Sequence, residues 1–155
     1  MAGKDIESII DRAIKNEEEA HAFYMDLYNF VEDREAKDTL LYLAKEEAGH
    51  KEFLQKYRQQ GFAGVLSGLS ETDRYKIAEH EEKPDVKKNL KTKDVYLVAA
   101  GREKNSHEFY KNLAELHPES AVKDMLLKMA AEELKHKEKV EYLDANTAFP
   151  QTAGG

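Results

Sequence analysis

The chain repeats itself. Residues 37–52, KDTLLYLAKEEAGHKE, return as residues 123–138, KDMLLKMAAEELKHKE. The offset is 123 − 37 = 86, and it runs without a gap into the preceding segment. Glu17 falls on Glu103, His21 on His107, Phe23 on Phe109, Tyr24 on Tyr110 and Leu27 on Leu113. Comparing 13–52 with 99–138 gives 16 identities in 40 positions, more than shared helical composition supplies. Such a chain is expected to fold as two copies of one unit, related by an approximate twofold axis. What a residue does in one copy, its equivalent should do opposite it.

The unit reads as a helical hairpin. Ile6, Ile10, Ala13, Glu17, Ala20, Tyr24, Leu27 and Val31 advance by alternating steps of four and three, the seam of a helix packed in a bundle. The same steps run through Ala36, Leu40, Leu43, Glu47, His50, Leu54 and Tyr57. They return in Tyr96, Ala99, Glu103, Ser106, Tyr110 and Leu113, and again in Val122, Leu126, Met129, Glu133, His136, Val140 and Leu143. The spacing predicts helices over 4–32, 35–60, 92–116 and 120–144. Short connections near Asp33 and Pro118 make each successive pair antiparallel, and Pro118 cannot continue a helix interior.

Residues 61–91 are too long for a turn. They read as a crossover joining the hairpins, as in bundles with one long connection. Ser70 to Asp73 resembles the capped start of a short helix reaching about Glu82. The apolar, glycine-rich stretch 61–69 either caps the bundle end or meets another subunit. Residues 147–155 read as a flexible tail. With 8 Gly and 3 Pro in 155 residues, there is little material for the tight turns of a β fold. The expected fold is an all-α antiparallel four-helix bundle, built from two repeated hairpins joined by a long crossover, as one domain over residues 1–146.

Composition narrows the function. The net charge of −7 opposes a general nucleic-acid surface, which should be basic. No apolar run approaches the roughly 18 residues of a membrane-spanning helix, and the N-terminus lacks the pattern of an export signal. The absence of Cys excludes disulfides, thiolate ligands and thiol nucleophiles, and accords with a reducing cytoplasm. A cytoplasmic protein binding neither nucleic acid nor membrane is expected.

The informative anomaly is polar residues in the seam. Glu17, Glu47, Glu103 and Glu133 each stand where Leu or Ile would be expected, each near the middle of a helix. His50 and His136 follow Glu47 and Glu133 by three positions, on the same helical face. A lone Glu-x-x-His is weak, and a third instance exists at Glu18 and His21. Placement and duplication carry the argument. Four buried carboxylates would repel one another and resist ionisation, and no Lys or Arg lies in the seam at their level. Two divalent cations would balance four carboxylates, with neutral imidazoles completing the shell. Bundles of this design hold two iron or manganese ions with one Glu from each of two helices and a Glu-x-x-His from each of the others. Such a donor set suits iron or manganese, and admits zinc. The expected ligands are Glu17, Glu47, His50, Glu103, Glu133 and His136, with no catalytic residue beyond them. The competing reading is a bundle in which these groups only hydrogen-bond one another.

Other positions are less decided. Tyr24 and Tyr110 either orient a carboxylate from a neighbouring helix or simply pack. His21 and His107 are extra ligands or partly exposed helix-face residues. Gly49 and Gly101, costly inside helices, suggest close helix contact.

These residues together resemble the ferritin-like superfamily, and more narrowly its rubrerythrin-like di-iron proteins. The resemblance rests on Glu17 with Ala20 and Tyr24, Glu47 with His50, Glu103 with Ser106 and Tyr110, and Glu133 with His136. It implies that Glu47 and Glu133 bridge two metals, Glu17 and His50 complete one site, and Glu103 and His136 the other. It implies a non-haem oxidoreductase reacting with peroxide or O₂, or oxidising Fe(II), in oxidative-stress defence or iron handling. An external electron donor such as rubredoxin and a homodimer belong to the same expectation. Typical rubrerythrins carry a second Glu where Ser106 stands, which makes this site similar to that of bacterioferritin. Ala48 occupies the place of the bacterioferritin haem-binding Met, so no haem is expected. The alternative is a metal-binding, iron-storage or redox-sensing bundle without turnover.

Overall fold

The computed structural model describes residues 2–60 and 95–146. Four helices account for nearly all of them: α1 (Ala2–Phe30), α2 (Arg34–Gln59), α3 (Val95–Glu115) and α4 (Ala121–Asn146). No strand occurs among the described residues. The helix ends at Phe30, Arg34, Gln59, Glu115 and Ala121 lie within about two residues of the boundaries read from the spacing. The expected crossover 61–91, its short helix, the first three residues of the expected third helix (92–94) and the tail 147–155 lie outside the described residues.

The helix starts follow from local chemistry. Asp33 is extended, and its carboxylate accepts from the Ala36 backbone N–H at 2.8 Å, capping α2. Glu35 in the first turn and Lys56 and Arg58 in the last complement the helix dipole. Ser120 does the same for α4, its Oγ accepting from the Lys123 N–H at 3.2 Å. Seam residues face inward, as the spacing requires: Ala36, Leu40, Leu43, Leu54 and Tyr57 of α2 are all buried.

The core divides into two apolar clusters. One holds Phe23, Tyr24, Leu27 and Val31 of α1, Leu40 and Leu43 of α2, Val95, Tyr96 and Ala99 of α3, and Val140 and Leu143 of α4. The other holds Ile9, Ile10 and Ala13, Leu54 and Tyr57, Phe109, Tyr110 and Leu113, and Leu126 and Met129. The 86-residue offset exchanges them. Phe23, Tyr24 and Leu27 map onto Phe109, Tyr110 and Leu113, while Leu54 and Tyr57 map onto Val140 and Leu143. This is the signature of a twofold axis perpendicular to the helices.

Cluster membership also fixes the helix directions. α1 and α4 run from the second cluster to the first, and α2 and α3 run the other way. Thus α2 ends at one end of the bundle and α3 begins at the other. Neighbours within each hairpin are antiparallel, as expected. Burying each large apolar side chain contributes about 1.5–3 kcal/mol, so either cluster alone is a substantial anchor. Between them lies a layer of mainly polar side chains, formed by the central residues of all four helices.

Two glycines behave otherwise than expected. Among the described residues, a Cβ placed on Gly49 or Gly101 would meet nothing within 4 Å. Neither glycine therefore serves a close helix approach.

Candidate metal centre

The layer between the clusters holds Glu17 from α1, Glu47 and His50 from α2, Glu103 from α3, and Glu133 and His136 from α4. All six are at most 5% exposed. Seam spacing carries each inward, and antiparallel packing brings the four helix midpoints to one level. The structure brings together every residue that the sequence singled out as a ligand.

Their atoms form two overlapping groups. Glu17, Glu47, His50 and Glu133 offer four donor atoms all within 4.8 Å of one another, and so do Glu47, Glu103, Glu133 and His136. Glu47 and Glu133 belong to both. The repeat converts one group into the other, since Glu17 becomes Glu103 and His50 becomes His136.

Both imidazoles turn Nδ1 inward. His50 Nδ1 lies 3.1 Å from Glu17 and 3.2 Å from Glu133. His136 Nδ1 lies 3.0 Å from Glu133, and 3.2 Å from each of Glu47 and Glu103. The rings lie 5.9 Å apart, within 20° of parallel. These distances would suit hydrogen bonds, but the alignment does not. His50 Nδ1, His136 Nδ1, Glu47 Oε1 and both Glu133 oxygens are buried without a hydrogen-bond partner among the described residues. Buried polar atoms are normally paired. Donor atoms that crowd one region without pairing suit ligation of cations. The competing reading, mutual satisfaction by hydrogen bonds, has the short His–Glu distances in its favour and the unaligned Nδ1 atoms against it.

The electrostatics agree. Burial pushes Glu47 well above the ordinary carboxylate value, and the Glu103, Glu133 and Glu17 carboxylates push it further. Burial, then Glu133, raises Glu103 to about 8 and also raises Glu17. For His50, burial favours the neutral ring, but Glu133 and Glu17 outweigh it and push the imidazole up to about 12. Burial opposes charge on His136 too, and Glu103, Glu133 and Glu47 likewise overcome it. Burial would raise Glu133, yet the two imidazoles hold it below the ordinary value. By themselves, then, the groups retain protons on acids and rings. Divalent cations would displace those protons and supply the missing positive charge.

The tyrosines settle into the first of their two readings. Tyr24 of α1 donates to Glu103 of α3 at 3.0 Å, and Tyr110 of α3 donates to Glu17 of α1 at 2.9 Å. Burial and the nearby carboxylates push both phenols well above their usual value, so both stay protonated donors. His107 is half-buried and donates Nδ1–H to the Ala130 carbonyl at 2.7 Å. His21 is exposed. Neither belongs to the two donor groups.

Sequence reading missed three residues here. Glu132 and Glu46 face the outer nitrogens of the histidines: Glu132 lies 2.9 Å from His50 Nε2 and Glu46 3.6 Å from His136 Nε2. Their signal was present, because 46 + 86 = 132 and each directly precedes a seam glutamate. Arg102 is buried beside Glu103 and donates to the Asn16 carbonyl at 3.1 Å. It lies about 100° around the helix from the seam, so seam spacing gave no hint of a buried cation at this level. Asn16 is its equivalent in the repeat, 16 + 86 = 102.

The sequence model of the Rubrerythrin family matches residues 8–144, a span that includes all six central residues. Neither a curated relative nor a solved structure matches the chain. The family implies a metal centre, and the buried donors at the midpoint of this bundle are chemically suited to one. By its sequence and its four-helix fold, the chain belongs to the rubrerythrin family.

Proposed function

We propose that Glu17, Glu47, His50, Glu103, Glu133 and His136 hold a pair of iron ions. Glu47 and Glu133 are shared, Glu17 and His50 serve one ion, and Glu103 and His136 serve the other. The observation that carries this reading is the two four-residue donor groups with Glu47 and Glu133 in common. Manganese or zinc would find the same donors acceptable.

The chain acts in this reading as a non-haem di-iron oxidoreductase toward hydrogen peroxide or O₂, with Fe(II) oxidation as the close variant. Bound there, two iron ions would supply the electrons for that reduction. The protein's own part is positional. Tyr24 and Tyr110 hold the two terminal carboxylates. The apolar clusters above and below the layer restrict bulk water. Ser106 offers a hydroxyl where a seventh carboxylate would stand in a typical family member, which favours the oxidase and Fe(II)-oxidising side of this chemistry. An external electron donor such as rubredoxin returns the centre to its reduced state in this reading. Oxidative-stress defence or iron handling in the cytoplasm, by a homodimer, completes the proposal. Among the described residues, no helix is long and apolar enough to cross a membrane.

Anaerobic Fe(II) titration with metal analysis tests the site. About two ions per chain are expected, and fewer after Glu47→Ala or Glu133→Ala. Stopped-flow absorbance on mixing the loaded protein with H₂O₂ or O₂ tests the chemistry. Oxidation no faster than that of Fe(II) in free solution would overturn the oxidoreductase reading.

A further inference from the structure

The repeat makes His50 and His136 equivalent, and likewise Glu132 and Glu46. The geometry does not keep that equality. Glu132 Oε1 accepts a 2.9 Å hydrogen bond from His50 Nε2. Glu46 Oε1 lies 3.6 Å from His136 Nε2, beyond hydrogen-bond range, and that buried nitrogen has no hydrogen-bond partner among the described residues.

Tyr42 distinguishes the two surroundings. Its hydroxyl donates to the same Glu46 oxygen at 3.4 Å. Its ring stands edge-on to His136, 6.2 Å away at 87°, and the Lys139 ammonium sits 5.2 Å from the ring centroid. In the other copy the equivalent position is Lys128, since 42 + 86 = 128. A lysine has neither a hydroxyl nor a ring to place between a carboxylate and an imidazole. Glu132 thus bonds to His50, while Glu46 bonds to Tyr42.

We propose that the two metal positions are unequal, and that Glu132 makes the His50 position the one that fills first. This rests on the reading of the six central residues as ligands. An imidazole whose outer N–H is held by a carboxylate has a fixed tautomer and a fixed orientation. His50 has this support and His136 does not. The first divalent cation settles among Glu17, His50 and the shared glutamates. The second settles beside Glu103 and His136, where Tyr42 has loosened the support, and it is the first to leave. Glu132, Glu46 and Tyr42 are positioning residues, acting through the histidines.

The test uses Zn(II), which is redox-inert, added to full-length protein carrying ¹⁵N-labelled histidine. Ring resonances are followed by NMR, with calorimetry in parallel. The first equivalent should move His50 and leave His136 nearly unchanged, and the second should move His136. Glu132→Ala should weaken the first binding event by about 10–100-fold and remove the order of filling. Tyr42→Phe, which frees Glu46 for His136, should tighten the second event. Both altered side chains are partly exposed, Glu132 27% and Tyr42 45%, so neither change removes core packing. Parallel movement of the two histidines overturns the inference alone, as does a Glu132→Ala protein that keeps the order. Absence of any Zn(II) binding overturns the ligand reading and the inference with it.

Discussion

Tyr24 donates a hydrogen bond to Glu103, 79 residues further along the chain, and so ties α1 of one hairpin to α3 of the other. Tyr110 returns the same bond to Glu17. Each hairpin thus holds a carboxylate of its partner, an arrangement that duplication alone makes reciprocal.

Removing one phenol leaves a buried carboxylate with one donor fewer. Tyr24→Phe or Tyr110→Phe should destabilise the metal-free protein by about 1–3 kcal/mol, read by urea denaturation. Metal stoichiometry should stay at its unaltered value, because the carboxylates themselves remain.

The protons held at the centre set a pH dependence. Glu103 is raised to about 8, and Glu47 and Glu17 are raised as well; His50 is raised to about 12. A group with a raised folded-state pKa contributes stability below its unfolded value and loses it as pH climbs through the folded value. Chelator-treated protein should therefore lose stability between about pH 5 and 8, and continue to lose it above. Glu133, held low, has the opposite sign and contributes only to a loss below the ordinary carboxylate range. Thermal melting across pH checks this. A melting temperature that rises from pH 5 to 8 without metal would contradict it.

Metal should reverse the trend. Binding displaces those protons, so affinity should increase with pH and protons should be released on loading. Saturating metal should raise the melting temperature by preferring the folded chain, and more so at pH 8 than at pH 5. Calorimetry in buffers of different ionisation enthalpy counts the released protons.

Gly49 and Gly101 sit in helix interiors with open space where a Cβ would go. Alanine at either position should stabilise the protein by about 0.5–1 kcal/mol, through lower chain entropy in the unfolded state. Chemical denaturation of each single variant reads the gain.

The duplication also breaks at a buried tyrosine–histidine pair. Tyr57 and His117 lie 2.7 Å apart between hydroxyl and Nε2, where the offset places Leu143 and Val31. A double-mutant cycle with Tyr57→Phe and His117→Val should report a coupling of about 1 kcal/mol.

By itself, the sequence determined the helices, their inward faces and the six central residues. Those features are periodic, and a step of three or four along a helix fixes which residues share a face whatever the helix packs against. The 86-residue offset added the pairing of the halves, so that Glu17 implied Glu103 and His50 implied His136. Tertiary structure alone decided what lies beside those faces. Arg102 is buried because of where α1 passes α3. Tyr24 reaches Glu103 instead of merely filling space, and Glu46 leans toward Tyr42 while Glu132 holds His50. Each of these depends on distances between helices far apart in the chain, and on side chains at which the two copies differ. A repeat in sequence constrains the backbone to near symmetry, but contacts are made by side chains, and there the two halves have diverged.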